Sequence, residues 1–458
     1  MNKFDITVVG GGISGLLISC LLVARGYHVC LLESGSRLGG YLQNITKDQI
    51  PYGAHHIAIP DRGFIDQLFQ HINIKISSEL IPADDITIFH NGKRYDLSFK
   101  LDDLRKQLTL YFPNEEVQIN KFINYVRSFA QALAADNKED IKSIFMDTVF
   151  KSFEQFLKTY FQDTKLIGVL SAIGPSYADV YLEDSAFSYL SLFATYGGGT
   201  YYFKDYGESL IKSLREYMDN SNSIIRYKFK ANKICKPDNE YHIYNDDGQQ
   251  IITDHIVIAC YPVDLLQTLP QTNVRQQKLL EKIYEMKIGS SAWRFYYRIP
   301  QKLFNNEYIY HYNEYRSPCL DGKTPNFIIS TMDKSKGQIN LMATVVCRYI
   351  SEDQIQNIIL PHLHAEIKSL LLVEDKNIEL AVSIGRSNRE VVTSNKNGSV
   401  FGWVRDAKGN LISNMIKSIP TVWEGVYVVG HWSSTFGIYG SILTVIDTLD
   451  KIDKKREC

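Results

Sequence analysis

The start of the chain alternates between two hydrophobic periods. Residues Phe4 to Val9 read as a short apolar strand, and Leu16 to Arg25 has a helical pattern that ends at Gly26. A second apolar run, His28 to Leu32, predicts another strand that ends at the acidic Glu33. Because a helix joins the two strands, this order predicts a βαβ unit with parallel strands.

The middle of the chain separates into a helical part and a strand-rich part. Residues 113 to 195 carry two apolar stripes at helical spacing, Phe122, Val126, Phe129 and Leu133, then Phe150, Phe153, Leu157 and Tyr160. We interpret both stripes as core-facing, with lipid-facing or substrate-entry helices as the alternative. Strand patterns follow at Ile224 to Ile234, Tyr241 to Gly248, Asp254 to Ala259, Ser291 to Arg298, Glu307 to Tyr315, Asn326 to Thr331 and Gln338 to Cys347.

The end of the chain repeats the order of strand, glycine loop and helix. Gly425 to Val429 has the pattern of a buried strand, and it runs into Gly430 and His431. An apolar-periodic helix then extends from about Ser441 to Ile452. A second unit of this kind, so far from the first, indicates a domain assembled from both ends of the chain.

Length and charge narrow the class of protein. The chain has 458 residues, enough for about two to four domains. Its 50 basic and 51 acidic residues give a net charge of −1, so we expect no nucleic-acid partner bound through a broad basic face. No apolar run reaches the roughly 18 residues of a spanning helix, and the flanks of residues 13–24 disfavour a signal peptide. Contact with a membrane surface and the oligomeric state stay open.

The spacing of the cysteines and histidines disfavours a disulfide-stabilised protein and a metal-binding protein. The seven cysteines form no CxxC pair, which disfavours a disulfide framework and a zinc site. His362 and His364 cannot share a helix face, so we expect no metal there. This usage is typical of a protein of the reducing cytoplasm.

The turn after the first strand has the spacing of a phosphate-binding loop. Gly10, Gly12 and Gly15, with Ile13 and Ser14 between them, satisfy G-x-G-x-x-G. The first glycine permits a tight turn, the second lets the backbone approach a pyrophosphate, and the third lets the helix pack against the strand. The helix N-terminus favours phosphate charge, and Glu33 can accept hydrogen bonds from a ribose. The sequence therefore predicts a dinucleotide site.

A second glycine turn follows the acidic residue. Ser34 and Arg37 precede the doublet Gly39-Gly40. An arginine beside bare backbone N–H groups can bind a second stretch of phosphate.

These motifs resemble those of a known group of flavoenzymes. The segment from Glu33 to Gly40 is similar to the two-dinucleotide-binding motif of the flavin amine oxidase superfamily. Gly398 to Gly402 and Tyr196 to Leu210 look like segments of phytoene desaturases. On these segments, from both ends and the centre, the chain resembles the FAD-dependent phytoene desaturase, carotene isomerase and retinol saturase group.

The resemblance implies FAD as cofactor and an α/β fold. We expect a discontinuous Rossmann-like FAD-binding domain of the two-dinucleotide-binding type, made of residues 1–75, 196–265 and 395–458. An α+β substrate domain then comprises residues 76–195 and 266–394, its helical part before its strand-rich part.

The resemblance also suggests site residues. Gly53, Ala54 and His55 match a Gly-x-His segment that retinol-saturase-like members place near the flavin, which makes His55 the candidate catalytic residue. The alternative is a histidine that only bonds the backbone there. Gly430 and His431 occupy the place of the C-terminal cofactor loop, and we expect both to contact the cofactor. The helix near Gly440, Ser441 and Ile442 can aim its N-terminus at the pyrimidine edge of the flavin.

Some positions depart from the group. Lys204 and Tyr206 stand where Pro and Gly are usual, and His431 stands where Asp or Ala is usual. These positions lie in loops beside the flavin, and we still expect the chain to bind FAD. The usual substrate of the group, however, does not carry over to this chain.

The implied reaction is hydride transfer between the flavin N5 and a C–H or C=C bond of a largely apolar, part-polar small molecule. Desaturation, isomerisation and saturation share such a site. A flavin amine or amino-acid oxidase is the first alternative, with Trp403, Trp432 and Tyr439 as an aromatic wall. The alternative of another class is a non-catalytic flavoprotein that acts as a partner or chaperone.

Tyrosine is the most abundant aromatic residue, with 29 copies against 22 Phe and 4 Trp. Several crowd residues 177–206, and we select Tyr202 and Tyr206 as candidate substrate contacts. Because tyrosine joins an apolar ring to a polar tip, this excess favours a substrate with some polar groups.

Overall fold

The computed structural model describes most of the chain. The described residues are 3–47, 50–53, 59–60, 69, 72, 74, 80–90, 93–135, 137–174, 179–300, 302, 310–312, 327–335, 338–347, 351–385, 396–433 and 437–456.

Two large sheets contain most of the strands. The strands are β1 Lys3–Val9, β2 Val29–Leu32, β3 Asn44–Lys47, β4 Ile50–Gly53, β5 Leu80–Pro82, β6 Asp85–His90, β7 Lys93–Ser98, β8 Tyr201–Phe203, β9 Ile224–Arg226, β10 Ala231–Cys235, β11 Tyr241–Asn245, β12 Gln250–Ile258, β13 Ser291–Pro300, β14 Tyr310–Tyr312, β15 Phe327–Ser335, β16 Gln338–Cys347, β17 Glu379–Ile384 and β18 Val426–Val428.

The helices cover the sheets and form a separate bundle. They are α1 Ile13–Ala24, α2 Leu101–Tyr111, α3 Glu116–Ala134, α4 Lys138–Thr148, α5 Phe153–Lys158, α6 Thr164–Ser171, α7 Ala186–Tyr196, α8 Glu208–Asp219, α9 Val263–Leu266, α10 Val274–Tyr284, α11 Glu352–Gln354, α12 Leu360–Leu371, α13 Ala407–Ile416, α14 Ile419–Val422 and α15 Gly437–Arg456. A π-helical turn, Ile355–Ile359, joins α11 to α12.

The first sheet draws its strands from three distant parts of the chain. Its order is β10-β11-β12-β1-β2-β9, and β18 pairs with β12. The strands β2, β1, β12 and β18 are parallel, whereas β10, β11 and β12 form an antiparallel meander. Strand β2 is buried along its whole length, as expected for a parallel sheet covered on both faces. The sheet therefore places the glycine turn after β1 beside the loop after β18.

The second sheet has the order β17-β13-β16-β15-β14-β6-β7. Strands β13 and β16 pair antiparallel without a bulge from Ser291↔Cys347 to Pro300↔Gln338. The odd-numbered residues of β13, such as Trp293 and Phe295, are buried in one core with Ile359 and Leu363. One face of this sheet therefore packs on the segment that contains α12.

The helical part, α2 to α7, has its own aromatic core. The predicted stripe residues Phe122, Val126 and Phe129 are completely buried there. Phe150, assigned to the second stripe, is 65% exposed, which corrects that prediction. Helix α4 ends at Thr148 and a new helix begins after a Ser152 capping box, so Phe150 lies on neither helix.

Two of the seven tyrosines of residues 177–206, Tyr189 and Tyr196, belong to this core. Tyr181, Tyr189 and Tyr196 are buried. The Tyr189 hydroxyl donates to the Ser171 carbonyl oxygen at 2.6 Å and accepts from the Gly174 N–H at 2.8 Å. Tyr189 therefore packs and bonds within the bundle, while contact of Tyr202 and Tyr206 with a substrate stays a prediction.

Candidate functional site

The glycine turn connects β1 to the N-terminus of α1. Gly10 has a φ of +110°, a conformation that favours glycine. A Cβ on Gly15 would lie 1.9 Å from the Gly10 carbonyl oxygen, so only glycine lets α1 pack this close. A Cβ on Gly12 would meet no atom within 4 Å. Gly10 is therefore required by its positive φ and Gly15 by close packing, whereas the Cβ position of Gly12, just before Ile13 at the start of the helix, faces open space.

Glu33 ties this turn to the end of β2. Its buried carboxylate accepts from the Gly11 N–H at 2.8 Å and from the Gly35 N–H at 2.6 Å. The Ser34 hydroxyl also donates to it at 3.3 Å. A carboxylate has about four acceptor positions, so these bonds leave capacity for a ribose hydroxyl.

The second turn lies against the first. The Gly39 N–H donates to the Gly11 carbonyl oxygen at 2.8 Å, and both Gly39 and Gly40 have positive φ. A Cβ on Gly40 would lie 3.2 Å from the Gly12 Cα. Arg37 is exposed, so its side chain stands at the rim of the turn. The two glycine turns thus form one continuous loop surface.

The C-terminal loop completes this surface. Gly430 has a φ of +89°, and a Cβ there would lie 3.1 Å from the Ser14 Oγ. The Gly430 N–H donates to the Thr444 Oγ1 at 2.8 Å, which fixes the loop to α15. The structure therefore brings together positions 10–15, 33–40 and 430–431, as the sequence predicted. We call this assembly the glycine cradle.

His431 has an unusual electrostatic setting within the cradle. Burial, and to a smaller extent the charge of the nearby Arg405, lower the pKa of His431 to about 3. The buried Nε2 atom has no hydrogen-bond partner among the residues that the structure describes. The imidazole is therefore neutral near pH 7, and its Nε2 atom can form a hydrogen bond with a ligand.

An aromatic cluster stands behind this histidine. The His431 and Trp432 ring centroids are 5.0 Å apart, and the Trp403 and Trp432 rings meet edge to face at 4.8 Å. The Trp403 indole N–H donates to the Trp432 carbonyl oxygen at 2.8 Å. Both indoles are 1% exposed and pack in the core of the first sheet. The structure thus gives the two tryptophans a packing role, while their contact with substrate stays a prediction.

Helix α15 begins earlier than the sequence suggested. It starts at Gly437, so Gly440, Ser441 and Ile442 lie in its first and second turns, and Tyr439 precedes them in the first. The Ser441 hydroxyl donates to the Gly437 carbonyl oxygen at 2.9 Å. The N-terminus that can face a ligand is therefore formed by residues 437–439.

The remaining predicted residues are dispersed. Gly53 ends β4 and pairs with Asn44, whereas Ala54 and the candidate catalytic His55 lie outside the described residues. Tyr202 pairs with Ile81 at the edge of a small sheet. Tyr206 has a φ of +58°, which explains why glycine is usual at this position in the related group.

Two features of the site had no clear signal in the sequence. Asp179 is completely buried and accepts from the Ser290 N–H at 2.8 Å, which ties the helical bundle to the start of β13. Tyr41 follows the second glycine turn, and its hydroxyl donates to the Ser399 carbonyl oxygen at 2.5 Å. No motif links either pair, because their members are 111 and 358 residues apart.

The cradle fits a dinucleotide cofactor. The Cβ position of Gly12 faces open space at the N-terminus of α1, and a helix N-terminus that a ligand can approach favours pyrophosphate. The neutral His431 imidazole offers an unused polar atom in the same cradle. In the described part of the chain, no helix has the length and apolar character needed to cross a membrane.

Comparison with known proteins agrees with this geometry. The family of NAD(P)-binding Rossmann-like domains matches residues 8–71. The chain is 23% identical to 4,4'-diapolycopen-4-al dehydrogenase from Metabacillus indicus over 55% of each chain, so the alignment spans about half of that relative. It is 20% identical to 4,4'-diapolycopene oxygenase from Methylomonas sp over 82% of this chain and 79% of that protein. It is 26% identical to all-trans-retinol 13,14-reductase from Macaca fascicularis over 29% of this chain and 23% of that one.

Solved structures show the same fold. A redesigned putrescine oxidase superposes with a TM-score of 0.71 at 13% identity, over 99% of both chains. An oxidoreductase from Methanosarcina mazei superposes with a TM-score of 0.70 at 14% identity, over 98% of this chain and all of that one.

The chain therefore has a Rossmann-like domain within an α/β fold that it shares with solved oxidoreductases such as putrescine oxidase. The predicted resemblance is confirmed, because the relatives include a diapolycopene oxygenase, a diapolycopenal dehydrogenase and a retinol reductase. The relatives and structural neighbours are oxidoreductases, which agrees with the expected class of enzyme.

Proposed function

We propose that this protein is an FAD-dependent oxidoreductase that acts on a largely apolar, part-polar small molecule. The glycine cradle carries this proposal, because it joins two glycine turns to a C-terminal loop about 400 residues away. When bound, FAD supplies the hydride acceptor or donor. The chain's own residues hold the cofactor, orient the substrate and exclude water.

Each part of the cradle has a distinct task in this proposal. The N–H groups at the start of α1, opened by Gly12, bind the pyrophosphate. Glu33 holds the turn through Gly11 and accepts from the adenosine ribose. His431, neutral at pH 7, bonds an uncharged or anionic part of the cofactor through Nε2. His55 remains the proposed proton-transfer residue beside the flavin.

We also propose the domain division inferred from the sequence. The first sheet contains strands from residues 3–32, 224–258 and 426–428, which supports an FAD-binding domain built from separate segments. The second sheet and the helical bundle then form the substrate domain.

The test of the function has two stages. Purified protein should show flavin absorbance in the visible range, either as isolated or after incubation with FAD. The flavin should then exchange electrons with a polyene or retinoid substrate in anaerobic stopped-flow experiments. A protein that takes up no flavin contradicts the proposal at the first stage.

The same experiment separates the two rival functions. An amine or amino-acid oxidase should release hydrogen peroxide with amines and leave apolar polyenes unchanged. This rival draws support from the shared fold with putrescine oxidase and from the aromatic pair beside His431. A flavin that exchanges electrons with no substrate or acceptor instead supports a non-catalytic partner role.

A further inference from the structure

The inner face of β13 points towards the glycine cradle. The even-numbered Ala292 packs in one cluster with Val346, Val400 and Phe401, and Tyr41 packs against this cluster. Tyr41 directly follows the second glycine turn, and its ring centroid lies 6.1 Å from that of His431. Because side chains alternate along a strand, the other even-numbered residues of β13 share this face.

A buried arginine occupies the next position on that face. Arg294 lies two residues beyond Ala292, about 7 Å along the strand, and it is 3% exposed. The odd-numbered neighbours Trp293 and Phe295 point the other way, into the core beneath α12. Arg294 therefore places a guanidinium on the face of the sheet that is nearer the cradle. A wholly apolar substrate would need only an aliphatic side chain at this position.

A buried hydroxyl stands directly opposite this arginine. Thr344 pairs with Arg294 in the β13–β16 ladder, so the two side chains are neighbours on one face. Thr344 is 3% exposed, and its Oγ1 forms no hydrogen bond within the described structure. Leaving a buried hydroxyl unbonded is costly, whereas valine would fill the same space at no such cost. This hydroxyl therefore indicates a missing polar partner at this position.

Resting on the proposed function, we propose that Arg294 and Thr344 form a subsite for the carboxylate of an otherwise apolar substrate. A guanidinium can bind both oxygens of a carboxylate, and a hydroxyl can donate a further hydrogen bond. Apolar pairs flank the subsite, with Ala292 and Val346 on its cradle side. The substrate would therefore place an apolar segment between its carboxylate and the flavin.

This proposal does not require an unsatisfied arginine. Arg has five N–H donors, so it can keep contacts within the protein and still bind a ligand. The same face carries a matched control, Arg298, four residues farther along β13. Its guanidinium forms an ion pair with Glu379 at 3.5 Å, and its strand partner is Asn340.

The experiment compares each carboxylate with its neutral amide on the flavin-loaded protein. One arm uses all-trans-retinoate and its primary amide, and the other uses L-phenylalanine and its primary amide. Perturbation of the flavin spectrum and calorimetry both give the Kd. We expect at least one carboxylate to bind about 10-fold or more tightly than its amide. The arm that shows this preference identifies the class of substrate, either a polyene acid or an amino acid.

The variants locate the preference. Arg294→Gln should bring the ratio of amide to carboxylate Kd close to one, and Thr344→Val should lower it severalfold. Arg294→Lys should restore part of the ratio, and Arg298→Gln should leave it unchanged. Equal binding of acid and amide to the unaltered protein, binding of neither acid, or a full ratio in Arg294→Gln overturns the proposal.

Two controls keep the outcomes distinct. Thermal unfolding of each variant separates loss of the subsite from loss of the fold. If Arg294→Gln does not fold, the ratio in the unaltered protein and in Thr344→Val decides the question. Failure to bind flavin is measured first, on its own, and contradicts the proposed function rather than the subsite.

Discussion

Substitution of Gly12 by alanine should weaken cofactor binding without weakening the fold. The Gly12 backbone has a φ of −70°, which alanine adopts readily, and an added Cβ would meet no protein atom within 4 Å. Alanine is a poorer N-cap than glycine, whereas its stiffer unfolded chain compensates by a similar amount. We therefore expect the free energy of unfolding of the cofactor-free protein to change by about 1 kcal/mol or less.

The expected effect of the new methyl group is on cofactor binding rather than on folding. A Cβ at Gly12 keeps the pyrophosphate away from the N–H groups of α1, and a hydrogen bond to a charged group contributes about 1.5–3 kcal/mol. The Kd for FAD should rise about 10- to 100-fold. Titration of the cofactor-free protein with FAD, followed by flavin fluorescence, measures this change.

Gly15→Ala is the matched control for this experiment. The same methyl group there would lie 1.9 Å from the Gly10 carbonyl oxygen, so α1 must move away from β1. We expect a loss of about 3 kcal/mol or more of stability, seen in chemical unfolding of the cofactor-free protein. If Gly12→Ala binds FAD normally, or if it destabilises the cofactor-free protein as much as Gly15→Ala does, the role assigned to the cradle is wrong.

Three further changes test other parts of the site. Gly430→Ala should lower stability by about 1–2 kcal/mol, because φ is +89° and the methyl group would press on Ser14; an unchanged melting temperature would contradict this. His431 has a folded pKa of about 3, below its usual 6.5, so the unfolded chain takes up a proton first and stability falls as the pH drops from 6.5 towards 3. His431→Asn should therefore lose less stability than the unaltered protein between pH 7 and pH 4, and parallel pH profiles would refute this. Trp403→Phe should cost about 1–3 kcal/mol, because it removes the buried indole N–H that donates to the Trp432 carbonyl oxygen. Thermal unfolding measures this loss, with Tyr284→Phe at an exposed position as a control expected near zero.

The βαβ unit could be predicted because local pattern and tertiary packing agree there. The apolar run of β2 is buried throughout, Gly10 is required by its positive φ, and Gly15 is required by close packing. Four strands of the second sheet, β13 to β16, were also predicted near the positions where they are found, whereas β6, β7 and β17 were not predicted. In these segments the residues that favour a strand are the ones that the core requires.

Predictions failed where distant contacts decide the local structure. Helix α15 begins at Gly437 although its first turn contains two glycines, because Ile438 and Ile442 are buried in the core of the first sheet. The expected strand from Ile224 to Ile234 is divided into β9 and β10, and Lys228 between them has a φ of +55°. Residue propensity and hydrophobic periodicity reveal neither burial against a distant core nor a residue with positive φ between two strands.

The candidate site was predicted in the parts that have motifs. The cradle glycines and Glu33 follow from spacing, whereas Thr344 and Arg294 follow from no spacing at all. Their relation depends on the register of β13 against β16, which a sequence does not reveal. His431 departs from the residues usual in the related group, and its lowered pKa depends first on burial and then on Arg405, which lies on another loop.

The separation of the cradle's parts along the chain affects how the protein acquires its cofactor. During synthesis, the turn at Gly10 leaves the ribosome long before Gly430, which lies against Ser14 in the folded protein. Contacts between residues so far apart in the sequence form late in folding, since a long loop must close before they contribute any stability. A nascent chain thus has at most half of the nucleotide site, and cofactor loading should follow release from the ribosome. If the proposed function holds, the chain would bind its cofactor only after Gly430 has joined Ser14.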